Sequence, residues 1–234
     1  MRCSICNIEG HNAINKKFHP PTALVPSQLS TSIDAKVSFN QLDGIKTCED
    51  KYDSKVLKEQ YKLHQSYVKG RIETTKNLGV EVRLPSIPED ISENIVKQII
   101  HNKLNDKTST WDCKGDLQSK KEGKQECKCF TSDGPPSFTP SSNWDVIYFL
   151  DARNWLDDKF ILYRIPLKRT SDEWKNIKVS KLQTFEDQTK QGRRPRITWM
   201  ALYPQIEKYC TKVFEGSFEE IFISTVEAGQ EAEE

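Results

Sequence analysis

Residues 115–130 read Gly-Asp-Leu-Gln-Ser-Lys-Lys-Glu-Gly-Lys-Gln-Glu-Cys-Lys-Cys-Phe. Asp116 and Leu117 begin a short extended piece, Lys120–Gly123 has the composition of a turn, and Gln125–Phe130 alternates its side chains. Together they predict a hairpin that ends at the Gly134-Pro135-Pro136 break. Downstream, Val146-Ile147-Tyr148-Phe149-Leu150 is a nearly continuous apolar run, as a strand covered on both faces requires. Phe160–Ile165 predicts one more strand. Upstream, Ile91, Ile95, Val96, Ile99, Ile100 and Leu104 recur at helical spacing. They predict a helix capped by Asp90 or Ser92, with Glu93, Lys97 and His101 on its outward face. Helix, hairpin, buried strand and strand in this order predict an α/β fold, a mixed central β-sheet flanked by helices.

Working outward, residues 52–71 are rich in Lys, Glu, Gln and Leu and predict a solvated helix. Gly79 begins a short Val-rich piece ending at Pro85, and residues 28–40 hold an alternating stretch with strand character. A final helix is expected from about Trp199 to Phe214, broken or started by Pro204. The expected organisation is a small zinc-binding element at 1–22, a main domain at 23–226 and an acidic tail at 227–234. Within the main domain a core spans about 90–167. No internal repeats are visible.

Bulk properties narrow the function classes. The 234 residues carry a net charge of +1, so nucleic-acid binding has to come from locally clustered bases rather than a basic coat. Seven cysteines, an odd number in a chain this long, fit a reducing compartment. No apolar run is long enough to span a membrane or form a signal peptide, which makes a cytoplasmic location the expectation.

The hairpin carries the chemistry. Positions i and i+2 of a strand project to one face, so Glu126 and Lys128 point together, and Asp116 reaches the same place across the turn. Two carboxylates in proximity make a hard oxygen site suited to Mg²⁺, and the backbone carbonyl of Cys127 offers a further ligand. The metal lowers the pKa of a bound water and offsets charge on a phosphoryl oxygen. Lys128 orients that water, helps deprotonate it, or neutralises transition-state charge. Acid-any-Lys occurs eight times in the chain, so the triplet alone decides little. The alternating strand, the acid one hairpin arm away and the buried strand downstream single out Glu126. Glu173-Trp174-Lys175 is the next rival, and Asp34-Ala35-Lys36 has strand pattern but only Glu9 upstream.

Gly115-Asp116 followed by Glu126-Cys127-Lys128, with the helix at 91–104 before them, resembles the catalytic core of the PD-(D/E)xK nuclease superfamily, most closely that of orthodox type II restriction endonucleases. The resemblance covers about residues 90–167, with Gly115 standing where the motif name has proline. It implies a restriction-endonuclease-like core, Mg²⁺-dependent hydrolysis of double-stranded DNA, a homodimer, and a helix acid that joins the site, for which Glu93 is the matching position.

Gln188–Arg196 reads Gln-Thr-Lys-Gln-Gly-Arg-Arg-Pro-Arg, four bases in a backbone stiffened by glycine and proline. Arg193, Arg194 and Arg196, with Gln188 and Gln191, are candidate DNA contacts for bases or phosphates. Ser132 and Ser137, close after Lys128, are candidate phosphate donors, with a structural turn as the alternative. Trp144, Trp155, Trp174 and Trp199 read as core residues, and His64 and His101 as helix packing.

Cys3, Cys6, His11 and His19 have the residue types of a tetrahedral, structural Zn²⁺ site, with Cys48 able to replace a histidine. No glycine-rich nucleotide loop is present, so no nucleotide cofactor is expected. The reading is a type II restriction endonuclease. A repair or structure-specific nuclease, a non-enzymatic zinc-containing nucleic-acid binding protein, and a structural partner-binding protein are the alternatives.

Overall fold

In the computed structural model the described residues are 53–81, 83–112 and 116–224. All lie in one of the two compact units into which the chain divides, Lys46–Glu234. The expected strand at 28–40, the residues at 1–22 and the tail at 227–234 lie outside the described residues.

Helix α1, Ser54–Leu78, starts where the Asp53 carboxylate accepts the backbone N–H of Val56 at 2.8 Å. It continues past the expected end near Arg71 because nothing before Gly79 breaks it. Gly79 takes a left-handed φ of 63° and donates its N–H to Thr75. Leu57, Tyr61 and Val68 bury one stripe of an otherwise polar helix. The Tyr61 hydroxyl anchors that stripe by donating to the carbonyl of Trp155 at 2.7 Å.

Helix α2, Glu89–Lys103, corrects two expectations. Its N-cap is Pro88, with no side-chain cap, and Ser92 instead donates its hydroxyl to the carbonyl of Glu89. Glu89 and Asp90 place negative charge at the N-terminus, which favours the helix dipole. Lys97 is not on an outward face: it is fully buried, because α2 is packed by α1, the central sheet and a short 3₁₀ turn at Glu219–Phe222.

Six strands form one sheet in chain order: β1 Thr110–Trp111, β2 Leu117–Ser119, β3 Gly123–Phe130, β4 Val146–Asp151, β5 Lys159–Ile165 and β6 Thr211–Ser217. All neighbours are antiparallel except β3 and β4, which run parallel with Glu126 opposite Ile147 and Lys128 opposite Phe149. A mixed sheet is therefore observed, as expected. Parallel neighbours cannot be joined by a tight turn. Residues 131–145 make the crossover as a loop, pinned by the buried rings of Phe138 and Trp144. Every residue of β4 is buried, which explains its unbroken apolar sequence.

The sheet separates two cores. One gathers Tyr61, Ile95, Ile99, Tyr148 and Leu162 beneath α1 and α2. The other gathers Phe138, Trp144, Phe149, Trp174 and Phe185 beneath α3 (Asp172–Lys175), α4 (Phe185–Lys190) and α5 (Trp199–Ile206). All four tryptophans read as core residues are buried. His64 stacks on Trp155, and His101 contacts the carbonyl of Ser109 at 2.7 Å, so both histidines pack as expected.

The helix expected over 199–214 ends at Ile206. A 3₁₀ turn at Glu207–Tyr209 and then β6 take its place. Pro204 lies inside α5 and offers no N–H, so the helix stays short. The rival triplet Glu173-Trp174-Lys175 sits in α3 with Trp174 fully buried. Residues two apart on a helix diverge, so this acid and lysine do not share a face.

Candidate active site on the open edge of a strand

The site begins at the N-terminal limit of β2. β2 pairs with β3 only from Ser119–Gly123 to Leu117–Gln125, whereas β4 follows β3 to Phe130. Among the described residues, the β2-side edge of β3 is therefore left open from Glu126 onward. Asp116, the residue just before β2, turns its carboxylate across that gap, and its Oδ2 accepts the backbone N–H of Cys127 at 2.6 Å. In an antiparallel ladder a residue presents its N–H and C=O to the same edge, so the Cys127 carbonyl shares this edge with Asp116.

Glu126 and Lys128 project from the same face of β3, and Lys128 Nζ lies 2.7 Å from Glu126 Oε1. The pair is largely buried, with side-chain exposures of 7% for Glu126 and 19% for Lys128. Lys128 Nζ also stands 5.8 Å above the Phe138 ring, which limits its approach from water. A cleft of about 430 Å³ brings Asp116, Glu126 and Lys128 together with Glu93 of α2, Pro136 and Ser137. The four residues singled out in the sequence thus line one cavity.

Four carboxyl groups, those of Glu89, Glu93, Asp116 and Glu126, line the cavity with one lysine. Burial, then the nearby charge of Asp116, pushes the Glu93 carboxyl up to about 8. Burial also raises the Asp116 and Glu126 carboxyls, against the opposing pull of Lys128. Burial acts to lower the Lys128 ammonium, but the charges of Glu126 and Asp116 outweigh it and hold it above its ordinary value. Lys128 is accordingly a fixed cation. Among the described residues no group of three or more His, Cys, Asp or Glu side chains is arranged to hold a metal ion. Two carboxylates, a backbone carbonyl and retained water still form the kind of oxygen set Mg²⁺ accepts.

The basic segment is tied to this cleft. Thr184 and Asp187 cap α4 reciprocally, and Gly192 turns the chain out of it at a φ of 67°. Arg193, Arg194 and Arg196 are exposed, while Pro195 and Ile197 are buried between and after them. Ser137 pairs with Arg196 in an isolated antiparallel bridge, and the N–H of Phe138 donates to the carbonyl of Pro195 at 3.0 Å. The crossover that lines the cleft thus also holds the arginines. Gln188 and Gln191 instead share hydrogen bonds with Gln183. Ser132 accepts the N–H of Gly134 within its own turn, whereas Ser137 lines the cleft.

Sequence reading missed Arg153. Its guanidinium binds both carboxylate oxygens of Asp151 and reaches Asp133 Oδ1 at 2.9 Å, bracing the start of the crossover. Asp133 lies 20 positions away in the chain, and no local pattern announces the pairing. Thr139 and Ser142 were also missed on the cleft wall; they arrive there only through the path of the loop. Cys3, Cys6, His11 and His19 lie outside the described residues.

The sequence model of the Bsp6I restriction endonuclease family matches residues 49–203, from the start of α1 into α5. The type II restriction enzyme Bsp6I of Bacillus sp. (strain RFL6) is 35% identical over 130 residues, covering 54% of this chain and 67% of the relative. No solved structure matches significantly. The family match embraces the hairpin, the cleft and the basic segment, and the chain belongs to the Bsp6I restriction endonuclease family.

Proposed function

We propose that this chain is a Mg²⁺-dependent type II restriction endonuclease of PD-(D/E)xK type that cuts double-stranded DNA at a short specific sequence. The observation that carries this reading is the convergence of Asp116, Glu126 and Lys128 on one open strand edge. Membership of a restriction endonuclease family supports the same class.

Asp116, Glu126 and the Cys127 carbonyl would hold Mg²⁺, and a divalent cation would offset the cost that burial places on the two ionised carboxyls. When bound, the ion supplies Lewis-acid stabilisation of the phosphoryl oxygens and eases deprotonation of water. Lys128, kept protonated by its two acidic neighbours, compensates charge growing on the phosphorane and orients the attacking water. Glu93 is poised to hold a proton within the same cavity. Hydrolysis leaves a 5′-phosphate and a 3′-hydroxyl.

Arg193, Arg194 and Arg196 contact the duplex, with Ser137 on the cleft wall and Gln188 and Gln191 as further contacts. A homodimer would set two such sites on the two strands of a palindrome. The Cys3, Cys6, His11 and His19 set would hold a structural Zn²⁺ independent of cleavage, and one zinc per chain by elemental analysis tests it.

Long duplex DNA incubated with Mg²⁺ tests the reading. Discrete fragments from the wild type and none from Lys128→Ala are expected. Equal digestion by both proteins, or no digestion by either, would refute it.

A further inference from the structure

Alternation along β3 places Lys124 on the same face as Glu126 and Lys128, giving a row of cation, carboxylate and cation with about 6.6 Å between members. Lys124 is exposed where Glu126 is buried. The cleft does not stop at Glu126. A second hollow of about 450 Å³ opens on the other side and is lined by Lys124, Ser141 and Asn143. It shares Asp116, Glu126, Thr139 and Ser142 with the first, so the two hollows form one groove passing the carboxylates. Its walls are the β2–β3 hairpin and the turn closed by the N–H of Ser142 donating to Thr139 at 3.1 Å.

The Lys124 end is held in place. Asp145 donates its N–H to the carbonyl of Lys124 at 2.9 Å, and its carboxylate accepts the N–H of Lys124 at 3.1 Å. Asp112 lies on the hollow's lining as well and repels phosphate, which leaves Lys124 and Asn143 as the attractive side. At the opposite end Ser137 lines the groove and bridges to Arg196. A groove that runs past the reactive carboxylates in both directions accepts the interior of a polynucleotide strand.

Resting on the proposed nuclease reading, we propose that the strand being cut lies along this groove. Lys124 and Asn143 hold one backbone phosphate on one side of the scissile phosphate, and Arg196 holds another on the opposite side.

The test uses a duplex containing the cleavage site mapped from plasmid digestion, with single phosphates near the cut replaced one at a time by neutral methylphosphonates. Removing one charge-assisted contact is expected to slow wild-type cleavage roughly tenfold at one position on each side. Lys124→Ala should be slow on the native duplex and insensitive to the methylphosphonate on one side only. Arg196→Ala should lose sensitivity on the other side only, and Lys124→Arg should restore the wild-type pattern. Retention of both sensitivities by Lys124→Ala, or loss of the same phosphate by both variants, would overturn the assignment. Failure of the nuclease reading itself is separate: the wild type would then make no mapped cut, or Glu126→Ala would cut equally well.

Discussion

The carboxylate of Asp116 occupies the hydrogen-bonding position that β2 leaves empty, accepting the N–H of Cys127 at 2.6 Å beside Glu126. One side chain thus does two jobs, ending the ladder without an orphaned donor and bringing a second carboxylate to the edge.

The two jobs separate by substitution. Asp116→Asn keeps an acceptor for Cys127 and removes the charge, so cleavage should be lost with the melting temperature little changed. Asp116→Ala also abandons the donor and should cost about 1–3 kcal/mol. Thermal melts of both variants check this, and an equally destabilised Asn variant would show that the charge itself holds the fold.

Glu93 gives the metal-free protein a pH dependence of definite sign. Its folded carboxyl is raised from 4.5 to about 8 by burial and by Asp116, so the folded state keeps a proton that the unfolded chain releases. Stability from the neutral carboxyl is fully present below the unfolded value and is lost as pH rises through the folded one. In chelator, the urea midpoint should fall between roughly pH 5 and 9, and Glu93→Gln should flatten this loss. An unchanged profile in Glu93→Gln would show that other groups set it.

Gly123 is required by the turn. It adopts a φ of 75°, and an added Cβ would run into the Asp145 carboxylate that orders Lys124. Gly123→Ala should lose about 1–3 kcal/mol, read by denaturant unfolding, and should cut more slowly because the hairpin carries Glu126.

Arg193 and Arg194 are exposed beyond the bridge that pins Arg196. If both meet phosphates, the double alanine variant should bind duplex with a log–log salt slope shallower by about 1.8, near 0.9 per contact. If they meet base edges, the slope should hold while discrimination among sequences falls. Equilibrium binding at several salt concentrations distinguishes the two.

The grouping that makes the candidate site was legible because it is local: Asp116, Glu126 and Lys128 lie on one hairpin, where strand alternation fixes direction. β4 was legible because burial on both faces leaves an unbroken apolar run. What sequence missed depends on distant packing. Lys97 follows the polar spacing of an exposed face, yet the elements around α2 bury it. β6 at Thr211–Ser217 buries only Phe214, so its period is too weak to compete with a helix expected from Trp199. Lys124 obeys the same alternation as Glu126, but its place on the groove wall emerges only from the packed structure.

Glu126→Gln tests the central claim most directly, because it preserves size and removes one carboxylate from the open edge. Single-turnover cleavage of a mapped duplex with Mg²⁺ should fall about a thousandfold or more, with DNA affinity within about threefold of wild type. Cleavage within about tenfold of wild type would place the reactive centre elsewhere and contradict the account.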